Sequence, residues 1–254
     1  MRIPFRLPLT AALLLASQQH ALAAASILIW PIDPVIEDQQ QATALWLENR
    51  DSKPVYMQIR VLGWRQTAGK DDYSNQSDVI ASPPVASIAP GKRQLIRLIK
   101  QSAPAAGQER AYRILVDEVP VKEQSSGAAP GGAEMGLKFQ MRYSVPLFVS
   151  GKGIWTKQDS EKLRDYATAS QPQLSYRLQQ QSSERWLEVR NQGAVHARIS
   201  KVTLQGRSLN PGLMGYVLPG SQMRFALPPA GGFSSGKLMA TVNDNKQPVA
   251  IPSY

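Results

Sequence analysis

The feature that most restricts this chain is its punctuation. Short runs rich in Val, Ile, Leu, Tyr and Trp recur along it, separated by Gly, Pro, Asn and Ser. Ala42–Glu48, Val55–Trp64, Gln94–Ile99 and Ala111–Val116 fall in the first half, and Leu174–Leu178, Trp186–Arg190, Val195–Leu204, Gln222–Leu227 and Lys237–Val242 in the second. Runs of this length at about 8–12-residue spacing predict an all-β chain built from sandwiches or barrels. Only Gln158–Thr168 has helical potential, and it carries too few apolar residues to be a core helix. Cysteine is absent. Packing and hydrogen bonds alone must therefore hold the core, and thiol catalysis and cysteine-ligated metals are excluded.

The N-terminus supplies an address. Arg2 and Arg6 form a basic head, Leu9 to Ala16 a short apolar run, and Ala21-Leu22-Ala23 a small-x-small cleavage pattern. This predicts a secretory signal peptide over residues 1–23, and hence export. No run reaches the about 20 apolar residues that a bilayer requires, so no membrane insertion is expected. Removing Arg2 and Arg6 from the 29 Lys and Arg leaves 27 against 19 acidic residues, a net charge of +8. Such a surplus favours acidic or anionic partners. Export argues against nucleic acid, and the basic residues form no block.

Two segments read as connections. Glu123–Gly136 (EQSSGAAPGGAEMG) is too rich in Gly, Ser, Ala and Pro to bury a core of its own. Near Ser150–Gly153 a long apolar run ends in SGKG, and the next strand-like run begins about twenty residues later. The expected domains are therefore 24–150 and 151–254, each of ordinary sandwich size. No internal repeat is legible.

The segment Leu137 to Val149 is the most informative. Leu137, Phe139, Met141, Tyr143 and Val145 alternate without a break with Lys138, Gln140, Arg142 and Ser144, so the two sets face opposite sides of a strand. An ordinary last strand filling its own core fits this pattern. So does an edge strand whose apolar row is completed by another chain, as in β-strand addition. Periodicity does not separate the two.

The order of motifs does bear on that choice. Ser82-Pro83-Pro84-Val85, Ile88-Ala89-Pro90-Gly91 and Gln94-Leu95-Ile96-Arg97-Leu98-Ile99 are followed by Glu109-Arg110-Ala111-Tyr112-Arg113-Ile114, Asp117-Glu118-Val119-Pro120 and Leu147-Phe148-Val149. In this order and spacing they resemble the periplasmic chaperones of chaperone–usher pilus assembly. The resemblance implies two immunoglobulin-like β-sandwich domains set in an L or boomerang, no enzymatic activity and no cofactor. It implies pilus subunits and an outer-membrane usher as partners, and the periplasm as location. It makes Leu137, Phe139 and Met141 the residues donated to a subunit, with Tyr143 and Val145 extending the row. It also implies an interdomain salt-bridge network of Arg97, Glu109 and Asp244. Better-known branches anchor the subunit's terminal carboxylate with an Arg and a Lys, but the matching places here hold Asp33 and Pro146. The sequence is in this respect similar to the archaic branch, and Arg113, a cation in an otherwise apolar strand, becomes the candidate anchor. An outward-facing Arg in a solvated row is the alternative reading. Pro83-Pro84 is a candidate site for a cis bond.

Other functions are weaker. With the signal removed, His196 is the one histidine left, in a strand-like run, and no nucleophile elbow, P-loop or HExxH motif is present. An exported carbohydrate-binding β-sandwich would need exposed coplanar aromatics, for which Trp46, Trp64, Trp155 and Trp186 are available.

Overall fold

The computed structural model describes residues 27–120, 140–158, 162–182, 184–227 and 236–254. The expected signal peptide, and Leu137 and Phe139, lie outside them.

The first half of the chain forms β1 (Ile27–Trp30), β2 (Val35–Ile36), β3 (Ala42–Asn49), β4 (Val55–Thr67), β5 (Lys70–Ser74), β6 (Val79–Ser82), β7 (Val85–Ile88), β8 (Arg93–Lys100), β9 (Glu109–Glu118) and β10 (Arg142–Ser150). One sheet runs β1-β3-β8-β6. The other runs β2-β10-β9-β4-β5, with β7 beside β4. Alternation sets the core between them: Val55, Met57 and Ile59 of β4 point in while Tyr56, Gln58 and Arg60 point out. They meet Leu45, Leu47, Ile96, Leu98, Tyr112, Ile114 and Val116. Each such fully buried side chain stabilises by about 1.5–3 kcal/mol.

The second half forms β11 (Leu174–Gln181), β12 (Glu184–Asn191), β13 (Ala197–Leu204), β14 (Arg207–Val217), β15 (Gln222–Ala226), β16 (Leu238–Val242) and β17 (Val249–Ile251). Its sheets are β11-β12-β15 and β14-β13-β16-β17, around a separate core that includes Tyr176, Leu187, Val189, Ile199 and Val202. Within Gln158–Thr168 the described residues hold a single 3-10 turn, Tyr166–Thr168, which buries no residue. Cis peptide bonds precede Pro31 and Pro83, so the turn at Pro83-Pro84 is cis one bond earlier than expected.

The two sandwiches share a local device that the sequence did not reveal as a repeat. Trp46-Leu47-Glu48-Asn49 and Trp186-Leu187-Glu188-Val189-Arg190-Asn191 both end a strand in a buried asparagine. Asn49 Nδ2 donates to the carbonyls of Lys53 and Ile88, at 2.7 and 2.9 Å, and Oδ1 accepts from Asp51 N. Asn191 Nδ2 donates to Val195 O and Val217 O, while Oδ1 accepts from Gln173 N and Gly193 N. Each asparagine thereby ties the end of its strand to the loop that follows and to a second strand. The glutamates recur as well. Glu48 is clasped by Arg50 and Arg93, and Glu188 by Arg177, Arg224 and the Tyr254 hydroxyl. Without disulfides, these buried hydrogen-bonded clamps fix the loops to the cores.

The segment between β10 and β11 folds back on the first sandwich. Lys157 Nζ pairs with Asp33 Oδ1 at 2.5 Å, Lys162 Nζ with Glu37 Oε2 at 2.6 Å, and Arg164 with Glu37 while stacking on Trp155.

Candidate functional site

Strand β10 is open along one side. It pairs antiparallel with β9 over all its residues, from Arg142↔Asp117 to Ser150↔Glu109. On its other side β2 pairs, in parallel, with Phe148 and Val149 only. Among the described residues no strand covers Arg142–Leu147 there. Such an edge presents unpaired backbone donors and acceptors, a template for a strand from another chain.

The side-chain row divides at residue 141. Met141 is exposed, at 37% of its surface. Val145 is buried in the first sandwich's core, and Tyr143 packs against that core with its hydroxyl accepting from Ile27 N. Tyr143 and Val145 therefore do not extend a row open to a partner. Residues two apart share a face, and from position 143 onward that face is already covered by the opposite sheet. Asp117 braces the start of the strand through Arg142 and Arg60. Burial pushes its carboxyl up, but the hydrogen bonds and charges of those two arginines outweigh burial and hold it below its usual value.

Beyond Leu147 both faces of the strand are covered. Phe148 is fully buried on the face turned to the second sandwich, with Trp64, Ala111 and Leu218. Arg113 lies on this face of β9, in register with Pro146 of β10 and Leu62 of β4. Its guanidinium stacks on Trp64 at 3.8 Å and lies 5.3 Å from the Tyr216 ring. Its Nε is buried and makes no hydrogen bond. Asp71, the nearby carboxylate, instead accepts from Trp64 Nε1, Gln66 Nε2 and the Tyr73 hydroxyl. Arg113 is thus a half-buried cation on two aromatic faces, with the Tyr73 hydroxyl as a hydrogen-bond partner and no carboxylate paired to it among the described residues. The outward-facing solvated arginine is not what forms.

The expected network of Arg97, Glu109 and Asp244 does not assemble. Arg97 is exposed on β8, across from Ala44 and Ser82. Asp244 pairs with Arg198 at 2.8 Å, inside the second sandwich. Glu109 crosses the junction, but its partner is His196: Oε1 accepts from His196 N at 2.8 Å, and both oxygens lie 3.0 Å from Nδ1. The imidazole stacks flat on Phe148, centroids 3.4 Å apart and planes 2° apart. His196 meets both carboxylate oxygens through its ring and its backbone N–H, while Arg97 stands on a strand of the other sheet. Three further hydrogen bonds span the junction. Gln66 Nε2 donates to Tyr216 O while its Oε1 accepts from Leu218 N, and Arg224 N donates to Gly69 O.

His196, Gln66 and Tyr216 carry no motif that would have marked them. The tryptophans form no three-ring platform. Trp64 is buried at the junction, Trp155 packs against Tyr166, and Trp46 stacks with Trp30. Among the described residues no group of three or more His, Asp or Glu has metal-binding geometry.

Comparison with known proteins agrees with this architecture. The family described as pili and flagellar-assembly chaperone, PapD N-terminal domain, matches residues 34–154. The chain is similar to a chain of the CsuC–CsuE chaperone–tip adhesion subunit pre-assembly complex, from the archaic chaperone–usher Csu pili of Acinetobacter baumannii. Identity is 34% over 91% of this chain and 100% of that one, with a TM-score of 0.72. The Salmonella enterica SafA pilin–SafB chaperone complex (15% identity, 91% and 98% covered, TM-score 0.61) and the E. coli chaperone DraB (13%, 91% and 98%, 0.60) share the fold. No curated protein matches in sequence. With a relative of that identity aligned over its whole length, the chain belongs to the pilus-assembly chaperones of the chaperone–usher pathway.

Proposed function

We propose that this chaperone holds pilus subunits by donating the strand that ends in β10, and passes them to an outer-membrane usher. The observation that carries the reading is the open edge Arg142–Leu147, which stops where β2 begins and has the Arg113 guanidinium, its Nε without an acceptor, at the same level of the sheet. A subunit strand added parallel to β10 would end there, with its terminal carboxylate towards the junction. Backbone pairing supplies affinity, and the apolar row Leu137, Phe139 and Met141 enters the subunit groove. Each buried anchor is worth about 1.5–3 kcal/mol. Arg113 meets the carboxylate with the planar fork that suits it. The work is binding and shielding of exposed apolar surface rather than catalysis. Membership of a periplasmic chaperone family implies export, for which residues 1–23 supply the signal.

The test is co-purification. The chain, tagged at its C-terminus and expressed in its native periplasm, is expected to retain a near-stoichiometric subunit identified by mass spectrometry. Met141→Asp and Arg113→Met should each release it while leaving cooperative unfolding intact, since Met141 is exposed and Arg113 loses aromatic contacts but no ion pair. A folded wild-type chain that emerges alone under pilus-expressing conditions overturns the reading.

A further inference from the structure

We infer that Tyr216 of the second sandwich is a positioning residue for Arg113, so that the carboxylate seat exists only when the two sandwiches are docked. The inference rests on the carboxylate reading of Arg113 given above. Its grounds are geometric. Trp64, from β4, covers one region of the guanidinium at 3.8 Å, and Tyr216, from β14, lies 5.3 Å from it. The two rings meet edge to face at 5.5 Å, so the cation sits in a corner with one wall from each sandwich. Tyr216 is held there from the first sandwich: Gln66 Nε2 donates to its carbonyl at 2.9 Å and Gln66 Oε1 accepts from Leu218 N at 2.8 Å. Phe148 and His196 support the ring from behind, with centroids 6.1 and 6.4 Å away.

Such a corner does two things. Aromatic faces attract a cation without using its N–H donors, so the guanidinium is oriented while Nε stays open to a ligand, beside the hydrogen bond that the side chain makes to the Tyr73 hydroxyl. Arg113 Nε, buried and without a hydrogen bond, is a donor in want of an acceptor. A carboxylate is the anion that two N–H groups on one edge of a guanidinium match. Removing the Tyr216 wall frees the side chain and lets water reach it, so carboxylate capture depends on the angle between the sandwiches.

The subunit identified by co-purification is the probe, prepared with its native C-terminus and with a two-glycine extension that moves the carboxylate away. Tyr216→Leu is expected to weaken binding of the native subunit roughly 3- to 30-fold, the range a cation–π contact spans. Binding of the extended subunit should change less than about 2-fold. Tyr216→Phe, which keeps the ring, should restore native binding. Gln66→Leu, which leaves the ring but releases its carbonyl, should act in the same direction and serves if Tyr216→Leu does not fold. An equal loss for both subunit forms makes Tyr216 a plain interface residue and overturns the inference. So does a native affinity untouched by Tyr216→Leu while Arg113→Met reduces it, and there the Arg113 reading stands. If Arg113→Met itself fails to distinguish the two subunit forms, the carboxylate reading falls and takes this inference with it.

Discussion

Replacing Glu109 by alanine tests what holds the two sandwiches at their angle. The Glu109 side chain is fully buried and that of His196 nearly so. Its carboxylate accepts from the His196 backbone N–H at 2.8 Å and from the ring at 3.0 Å. Truncation strands both donors, which are buried in the docked sandwiches. Each unsatisfied buried donor costs about 1–3 kcal/mol, so the change should cost roughly 2–6 kcal/mol. The other polar links across the junction, from Gln66 and Gly69, are ordinary hydrogen bonds worth about 0.5–1.5 kcal/mol each. The pair is therefore the largest polar contribution to the junction, and its loss should fall on the docking of the sandwiches rather than on either core. Small-angle scattering is expected to show a larger radius of gyration for Glu109→Ala, and calorimetry to resolve two transitions in place of one. Glu109→Gln, which keeps one acceptor for the backbone N–H, should lie between. A double-mutant cycle with His196→Ala should give a coupling of about 1–3 kcal/mol. Unchanged scattering and an unchanged single transition in Glu109→Ala would refute the assignment, and apolar packing of Phe148 and Leu218 would then set the angle.

Three further outcomes are expected. Asn191→Ala leaves the carbonyls of Val195 and Val217 and the N–H groups of Gln173 and Gly193 without their partner, and should lower the unfolding free energy in urea by at least about 3 kcal/mol. A Cβ on Gly151 would overlap the Ala105 carbonyl oxygen and come within 2.9 Å of Gln108 O, both rigid backbone atoms, so Gly151→Ala should lower stability by about 1–3 kcal/mol, read as a fall in melting temperature. Burial pushes the Glu37 carboxyl up, yet Arg164 and Lys162 outweigh it and hold it below its ordinary 4.5. A lowered folded value means that ionised Glu37 stabilises the chain above pH 4.5 and that this stabilisation is lost as pH falls through the folded value. The urea midpoint of wild type should exceed that of Glu37→Gln at pH 7, with the gap closing as pH falls below 4.5 and through the lowered folded value.

Strands with one wet face were legible in the sequence because alternation records them. Gln94–Ile99 became Arg93–Lys100, Ala111–Val116 became Glu109–Glu118, and Trp186–Arg190 became Glu184–Asn191, each longer by the polar residues at its ends. Two strands that escaped lack that signature. β5 is KDDYS, exposed along its whole length, and owes its existence to pairing with β4. β14 carries Pro211, Gly212 and Gly215 and pairs with β13 through register shifts. Its conformation is set by its neighbour, and local propensity argues against it. In Val145–Ser150 alternation gives way to continuous burial, because one face meets its own core and the other meets the second sandwich. A continuous apolar run hides which of its residues serves which contact.

The same distinction separates the site residues. Arg113 stood out because an unpartnered cation in an apolar strand needs explaining wherever the strand lies, and its seat between Trp64 and Tyr216 is the kind of answer such a residue requires. The junction network could not be read in this way. Motif order drew attention to Glu109, a carboxylate at the start of β9, but a buried carboxylate constrains only the geometry of its donors and not their identity. An arginine and an aspartate on distant strands satisfy a pattern in sequence. A histidine whose ring rests on Phe148 and whose backbone N–H is free satisfies the carboxylate itself. His196 reads as a lone strand histidine until the second sandwich is docked, since its partner lies 87 positions away. Contacts across a domain junction depend on rigid-body placement, which no local pattern encodes. The alternating row that runs through Met141 is the complementary case. Its alternation was plain in the sequence, and only the cover over Tyr143 and Val145 reveals that the last two members of the pattern are closed to a partner.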